Sequence, residues 1–211
     1  MTTREDLITV GRQLAKDKLV SGTSGNLSFR DSGRGIIWVT PTAMSLSDLV
    51  PSDIVGIDLD TGRVADGERK PSSETPLHLS IYRQFASVGA VVHTHSPYAT
   101  AFAIANVEIP AVHYAILDLG DRVPVAPYAT YGSEQLADHA IKALQVSQGI
   151  LLQNHGVVAV GETLDSAVRR VQAIEQLAQW GLWAKVLGHM GVLSEDQLAQ
   201  VREQMKTYKQ P

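Results

Sequence analysis

His93-Thr94-His95 sets two imidazoles two residues apart. In a strand, residues i and i+2 project to the same face, so both rings can reach one ion. Zinc takes imidazole nitrogens at about 2.0–2.1 Å, and a reactive zinc site typically keeps three protein ligands and an open position. His155, in the tight segment Asn154-His155-Gly156 between two apolar runs, is the natural third ligand. The acid to accompany them is Glu74, in Pro71-Ser72-Ser73-Glu74-Thr75-Pro76. It also suits a plain helix start, where the macrodipole favours a carboxylate. That same start offers unpaired backbone N–H groups and the hydroxyls of Ser72 and Ser73, a combination suited to phosphate. Thr23, Gly25, Asn26 and Thr42 come from other small polar loops. If they converge on Ser72 and Ser73, they form an anion pocket without a lysine. Tyr114 offers a phenol that donates a proton near neutral pH without titrating first.

The remaining histidines take plainer readings. His78 lies one helical turn after Glu74 and either packs or buttresses it. His113 neighbours Tyr114. His139 and His189 fall in helical patterns and read as structural.

These groups sit in a chain of 211 residues with 44% hydrophobic content, an ordinary globular composition. The absence of cysteine rules out disulfides, thiolate metal sites and a cysteine nucleophile, so imidazole, carboxylate and water must hold any transition metal. A formal net charge of −4 argues against nucleic-acid and polybasic membrane partners. The most apolar stretch, residues 99–119, is broken by Asn106, Glu108, Pro110, His113 and Asp118, too often to span a bilayer. The first residues carry early acids and no apolar core, unlike a secretory signal, so a cytoplasmic protein is expected. No Gly-x-Gly-x-x-Gly or Walker loop supports a nucleotide site.

The elements that must position these groups alternate between α and β. Thr3 caps a first helix with Leu7, Val10 and Leu14 on one face. Strands are expected over residues 26–30, 36–40, 54–60, 90–95, 123–126, 150–153 and 157–160. Helices are expected over 73–85, with Pro76 in the first turn, and over 97–105 and 133–145. Thr163 caps a long helix with a stripe of Leu164, Val168, Val171, Ile174 and Ala178. Ser194 and Gln197 form a capping-box signature for a last helix. Short connections after Arg30 and before Val157 favour antiparallel pairing. The expectation is one α/β domain over residues 1–211, with a mixed or antiparallel sheet carrying helices on its faces.

Four blocks in order, Thr23-Ser24-Gly25-Asn26-Leu27-Ser28, Pro71-Ser72-Ser73-Glu74, Val92-His93-Thr94-His95 and Leu152-Gln153-Asn154-His155-Gly156, resemble the class II aldolase/adducin family. The similarity runs from about Leu7 to Tyr208. It implies a three-layer α/β/α sandwich around a mainly antiparallel sheet, and a homotetramer with active sites between subunits. It implies a zinc ion on His93, His95 and His155, approached by Glu74, with cobalt or manganese also compatible with nitrogen ligands. Asn26, Thr42, Ala43, Ser72 and Ser73 would hold a substrate phosphate. Tyr114 would reach an adjacent subunit's site, and Tyr208 would close over the substrate. The family's aldolases usually carry glycine where this chain has Ala43, which would be strained if the loop needs a positive φ there.

The reaction this implies is cleavage of a ketose 1-phosphate, such as L-fuculose 1-phosphate, to dihydroxyacetone phosphate and an aldehyde such as lactaldehyde. An imine mechanism finds no support: none of the seven lysines falls in an apolar strand where desolvation would depress its pKa. Within the family, a pentulose-5-phosphate 4-epimerase usually shows Ser-Ser-Asp where this chain has Ser72-Ser73-Glu74. Dehydratases and decarboxylases share the three histidines. A non-catalytic assembly module of the adducin kind would usually lack them.

Overall fold

The computed structural model describes residues 2–207. Thr3 opens α1 (Arg4–Lys16) with a capping box, its side chain accepting from the Asp6 N–H while Asp6 accepts from the Thr3 N–H. Such a cap is worth about 1 kcal/mol. Leu7 and Leu14 of this helix are fully buried and Val10 is half-buried, as the apolar spacing requires.

The strands β1 (Asn26–Asp31), β2 (Ile36–Val39), β3 (Val55–Asp58), β4 (Val64–Asp66), β5 (Ala90–Thr94), β6 (Val125–Ala126), β7 (Gly149–Leu152) and β8 (Gly156–Gly161) form one eight-stranded sheet. Its order is β4-β3-β2-β1-β5-β8-β7-β6. Every neighbouring pair is antiparallel except β6 and β7. The sheet is thus mixed, with antiparallel pairing dominant. The short turns after β1 and between β7 and β8 are hairpins, as their lengths suggested. The strand β4 has no counterpart in the sequence reading, because its three residues are exposed or half-buried and show no apolar alternation.

The helices α2 (Thr75–Gln84), α3 (Pro97–Ala105), α4 (Glu134–Leu144), α5 (Leu164–Val186) and α6 (Glu195–Thr207) complete the fold. Alternate residues of each central strand feed two cores, as a period of two dictates. On one face Leu27, Val92, Val157 and Ala159 pack with α1, α3 and α5, and Leu198 of α6 joins them. On the other, Val91, Val158 and Val160 pack with Leu77, Ile81 and Tyr82 of α2 and Leu136 and Ala140 of α4. No helix among the described residues is long and apolar enough to cross a membrane.

Two end effects bear on the site. The predicted helix over 73–85 begins two residues later, with Glu74 at the N-cap rather than inside the first turn. Ser96 does not cap α3 with its side chain. Instead the Glu175 carboxylate of α5 accepts from the backbone N–H groups of Tyr98 and Ala99 at 2.9 and 2.8 Å. That clamp fixes the short link between β5 and α3, which carries His95.

Candidate functional site

Asn26 of β1 pairs directly with His93 of β5, so two central strands deliver an amide and an imidazole side by side. His93 ends the buried part of β5, and His95 follows on the same side just past the strand. His155 is brought beside them by the β7–β8 turn, in which Asn154 adopts φ +56°. Asparagine tolerates that left-handed conformation. Gly156 then packs so close that a Cβ would lie 2.4 Å from the Thr94 carbonyl oxygen and 2.8 Å from the His95 ring. Gly25, at φ +78°, likewise brings the chain against β5, where a Cβ would meet the His93 carbonyl oxygen at 2.9 Å.

The three rings meet edge to face, with centroids 4.7–5.2 Å apart. Their candidate ligand nitrogens all lie within 4.8 Å of one another. His93 Nδ1 donates to the Val157 carbonyl oxygen at 2.8 Å, which leaves Nε2 facing the cluster centre. There it lies 3.1 Å from His95 Nε2 and 3.0 Å from Glu74 Oε2. The other carboxylate oxygen, Glu74 Oε1, is 3.3 Å from His155 Nε2 but has no hydrogen-bond partner. Tetrahedral zinc at its usual bond length separates its ligand atoms by roughly 3.3 Å, close to these spacings. Lone pairs and a carboxylate gathered around one point, with one oxygen orphaned, fit a divalent cation.

The electrostatics agree. Burial pushes the Glu74 carboxyl up, but the charges of His93 and His155 and the hydrogen bonds from His93 and Asn26 outweigh it. Glu74 is held well below the usual carboxylate range. Burial and the neighbouring His93 charge push His95 and His155 down to about 4, against the pull of Glu74, so both rings are neutral at pH 7. Burial opposes a charge on His93, yet the adjacent Glu74 and the Val157 carbonyl raise its pKa. Burial lowers His78 to about 3.

Beside the histidines opens a cavity of about 260 Å³. Its walls bring together the expected loop residues: Thr23, Gly25 and Asn26 from the loop into β1, Thr42 and Ala43 from the next, and Ser72, Ser73 and Glu74 at the start of α2. Backbone bonds pin these loops to each other, from Ser72 N–H to the Thr40 carbonyl at 3.1 Å and from Thr42 N–H to the Lys70 carbonyl at 3.0 Å. No lysine or arginine is among the described residues lining it. Ala43 adopts φ +56°, the strained conformation that the sequence raised as a condition. Tyr131, also on the wall, was missed. Its surroundings, Tyr128-Ala129-Thr130-Tyr131-Gly132, show no ligand, acid–base or nucleophile spacing that would mark it.

Tyr114 is not brought to this cavity. It opens a 3-10 turn (Tyr114–Asp118), is 48% exposed, and rests its ring 4.1 Å from that of His113. Tyr208 lies outside the described residues.

The model for the class II aldolase and adducin N-terminal domain matches residues 5–182. The chain belongs to the class II aldolase/adducin family, among its aldolases. It is 37% identical to a 5-deoxy-D-ribulose 1-phosphate aldolase of Bacillus thuringiensis serovar kurstaki, across 98% of this chain and 97% of that one. It is 38% identical to the L-fuculose phosphate aldolase of Escherichia coli K12, across 90% and 87% of the two chains. A solved L-fuculose 1-phosphate aldolase superposes with a TM-score of 0.92 at 37% identity, covering 97% of this chain and 96% of that one.

Proposed function

We propose that this aldolase is zinc-dependent and cleaves a ketose 1-phosphate with a methyl terminus to dihydroxyacetone phosphate and a short aldehyde. L-Fuculose 1-phosphate would give lactaldehyde, and 5-deoxyribulose 1-phosphate would give acetaldehyde. The observation that carries this reading is the convergence of His93, His95 and His155 on a point flanked by Glu74, next to a hydroxyl-lined cavity. Those three histidines would hold the ion, with cobalt or manganese as substitutes. Bound there, a divalent ion supplies Lewis-acid stabilisation of the charge developing at the substrate carbonyl.

The protein's own groups divide the remaining work. Ser72, Ser73, Thr42, Asn26 and the Ala43 N–H bind the phosphate through neutral donors. In the condensation direction Glu74, ionised and buried, takes the proton from C3 of dihydroxyacetone phosphate; in cleavage the protonated carboxyl returns it to C3 and is left ionised. Tyr114 serves the C4 oxygen as proton donor in the condensation direction, with solvent restoring its proton. Its surface position supports a homotetramer in which it reaches a neighbour's site, with Tyr208 closing over the substrate. The setting we propose is cytoplasmic sugar-phosphate metabolism.

The test is to incubate the zinc-loaded protein separately with L-fuculose 1-phosphate, 5-deoxyribulose 1-phosphate and L-ribulose 5-phosphate, and to assay dihydroxyacetone phosphate. Release from at least one 1-phosphate, and none from the 5-phosphate, is expected. Conversion of the 5-phosphate to its C4 epimer, without cleavage of either 1-phosphate, would favour the epimerase reading.

A further inference from the structure

Behind Glu74 runs a buried line of polar side chains that the proposed mechanism does not use. Glu74, His78 and Tyr82 recur every four residues along α2, about 6 Å apart per step. Asn26 and Ser28 lie two apart on β1, about 6.8 Å, and face the same side. The two spacings nearly match, so the side chains interleave. Tyr82 Oη lies 2.8 Å from Ser28 Oγ, and Ser28 Oγ lies 2.6 Å from His78 Nδ1. His78 Nε2 lies 2.6 Å from Asn26 Oδ1, and Asn26 Nδ2 lies 2.8 Å from Glu74 Oε2. None of the five is more than 6% exposed.

The direction of every bond follows from the carboxylate end. An ionised carboxylate only accepts, so Asn26 must present its NH₂. Asn26 Oδ1 then needs a donor, and His78 Nε2–H is the group facing it. With its proton on Nε2, the neutral ring accepts at Nδ1 from the Ser28 hydroxyl, and Ser28 in turn accepts from Tyr82.

We propose that His78 is a positioning residue for Glu74: its Nε2–H satisfies the buried Asn26 Oδ1 and, together with the carboxylate, holds the amide with its NH₂ on Glu74. A primary amide is nearly symmetric in shape. Without the His78 donor, only the Glu74 carboxylate orients the amide, and Asn26 Oδ1 is left buried without a partner, which loosens the hold of the amide on the carboxylate. This inference rests on the reading of Glu74 as the group that moves the proton.

Two variants and one spectrum test it on the full-length, zinc-loaded protein. His78→Phe keeps the ring volume and removes the donor, whereas His78→Gln restores an N–H. His78→Phe should lower kcat about 10–100-fold, the usual effect of losing such a supporting partner, with KM and zinc content within about twofold. His78→Gln should recover most of that loss. An unchanged kcat in His78→Phe, equal losses in both variants, or loss confined to KM or zinc would overturn the proposal. The ¹⁵N spectrum of the wild type should show His78 with its proton on Nε2; a proton on Nδ1 would overturn it. That spectrum requires neither turnover nor a folded variant. A wild type that cleaves no ketose 1-phosphate therefore refutes the functional reading alone, and the spectrum still decides this one.

Discussion

Glu74 Oε2 stands 3.0 Å from His93 Nε2 and receives the Asn26 amide at 2.8 Å, so one carboxylate oxygen joins the metal-ligand set to the buried amide. The carboxylate is therefore fixed in place and ionised, the two requirements for moving a proton at a defined carbon. Glu74→Gln keeps the shape and the buried contact but removes the base. Zinc content should be retained and kcat should fall about 10²–10⁴-fold, the usual worth of a positioned acid–base group. Exchange of the C3 proton of dihydroxyacetone phosphate with solvent should be lost in parallel.

Imidazoles that ligate an ion do so in their neutral form and so bring no charge to cancel its own. A chelator should abolish cleavage, and added zinc should restore it. Borohydride reduction in the presence of substrate should leave activity intact, because no lysine lies among the described residues lining the cavity. Covalent trapping on a lysine, seen by mass spectrometry, would overturn the metal reading.

Ala43 holds φ +56°, a conformation that costs an L-residue about 1–2 kcal/mol. Ala43→Gly relieves that cost but adds freedom to the unfolded chain, so a net gain of about 0.5–1 kcal/mol is expected by denaturant unfolding. Ala43→Val, with a branched Cβ in the same conformation, should be destabilised and should raise KM for the phosphorylated substrate.

His78 is neutral in the folded protein, its pKa pushed down to about 3 by burial. In the unfolded chain it titrates near 6.5. Between those values the unfolded state binds the extra proton, so stability falls as pH falls below about 6.5. The slope from this one group is about 1.4 kcal/mol per pH unit. His95 and His155 act in the same direction in the metal-free protein, and His93, whose pKa Glu74 raises, acts in the opposite one. Urea unfolding of the metal-free protein between pH 7 and 5 should show the decline, and His78→Gln should make it shallower.

The parts of the site that were legible in the sequence are those set by local spacing. His93 and His95 share a face because a strand alternates, and His155 follows from a two-strand turn too short to point elsewhere. Ser72, Ser73 and Glu74 are read from a helix start. What escaped depends on register between distant segments. Asn26 sits opposite His93 through a pairing of residues 67 apart, so its bond to Glu74 could not be read from its own loop. His78 left two readings open for the same reason: its partners Ser28 and Asn26 lie about fifty positions earlier. The clamp of Glu175 on the start of α3 and the place of Tyr131 on the cavity wall are contacts across the fold with no local mark.

A cavity walled by hydroxyls and backbone amides, with no cationic side chain among its described lining residues, has a kinetic consequence. A dianionic sugar phosphate approaches a protein of net charge −4, in which the proposed divalent ion, partly offset by ionised Glu74, would supply the attraction at the site. The phosphate itself is then held by short-range hydrogen bonds and not by a cationic side chain. Added salt should therefore lower kcat/KM less than it would at a lysine-clamped phosphate site. Product dihydroxyacetone phosphate leaves with no ion pair to a lysine or arginine among the described wall residues to break on exit.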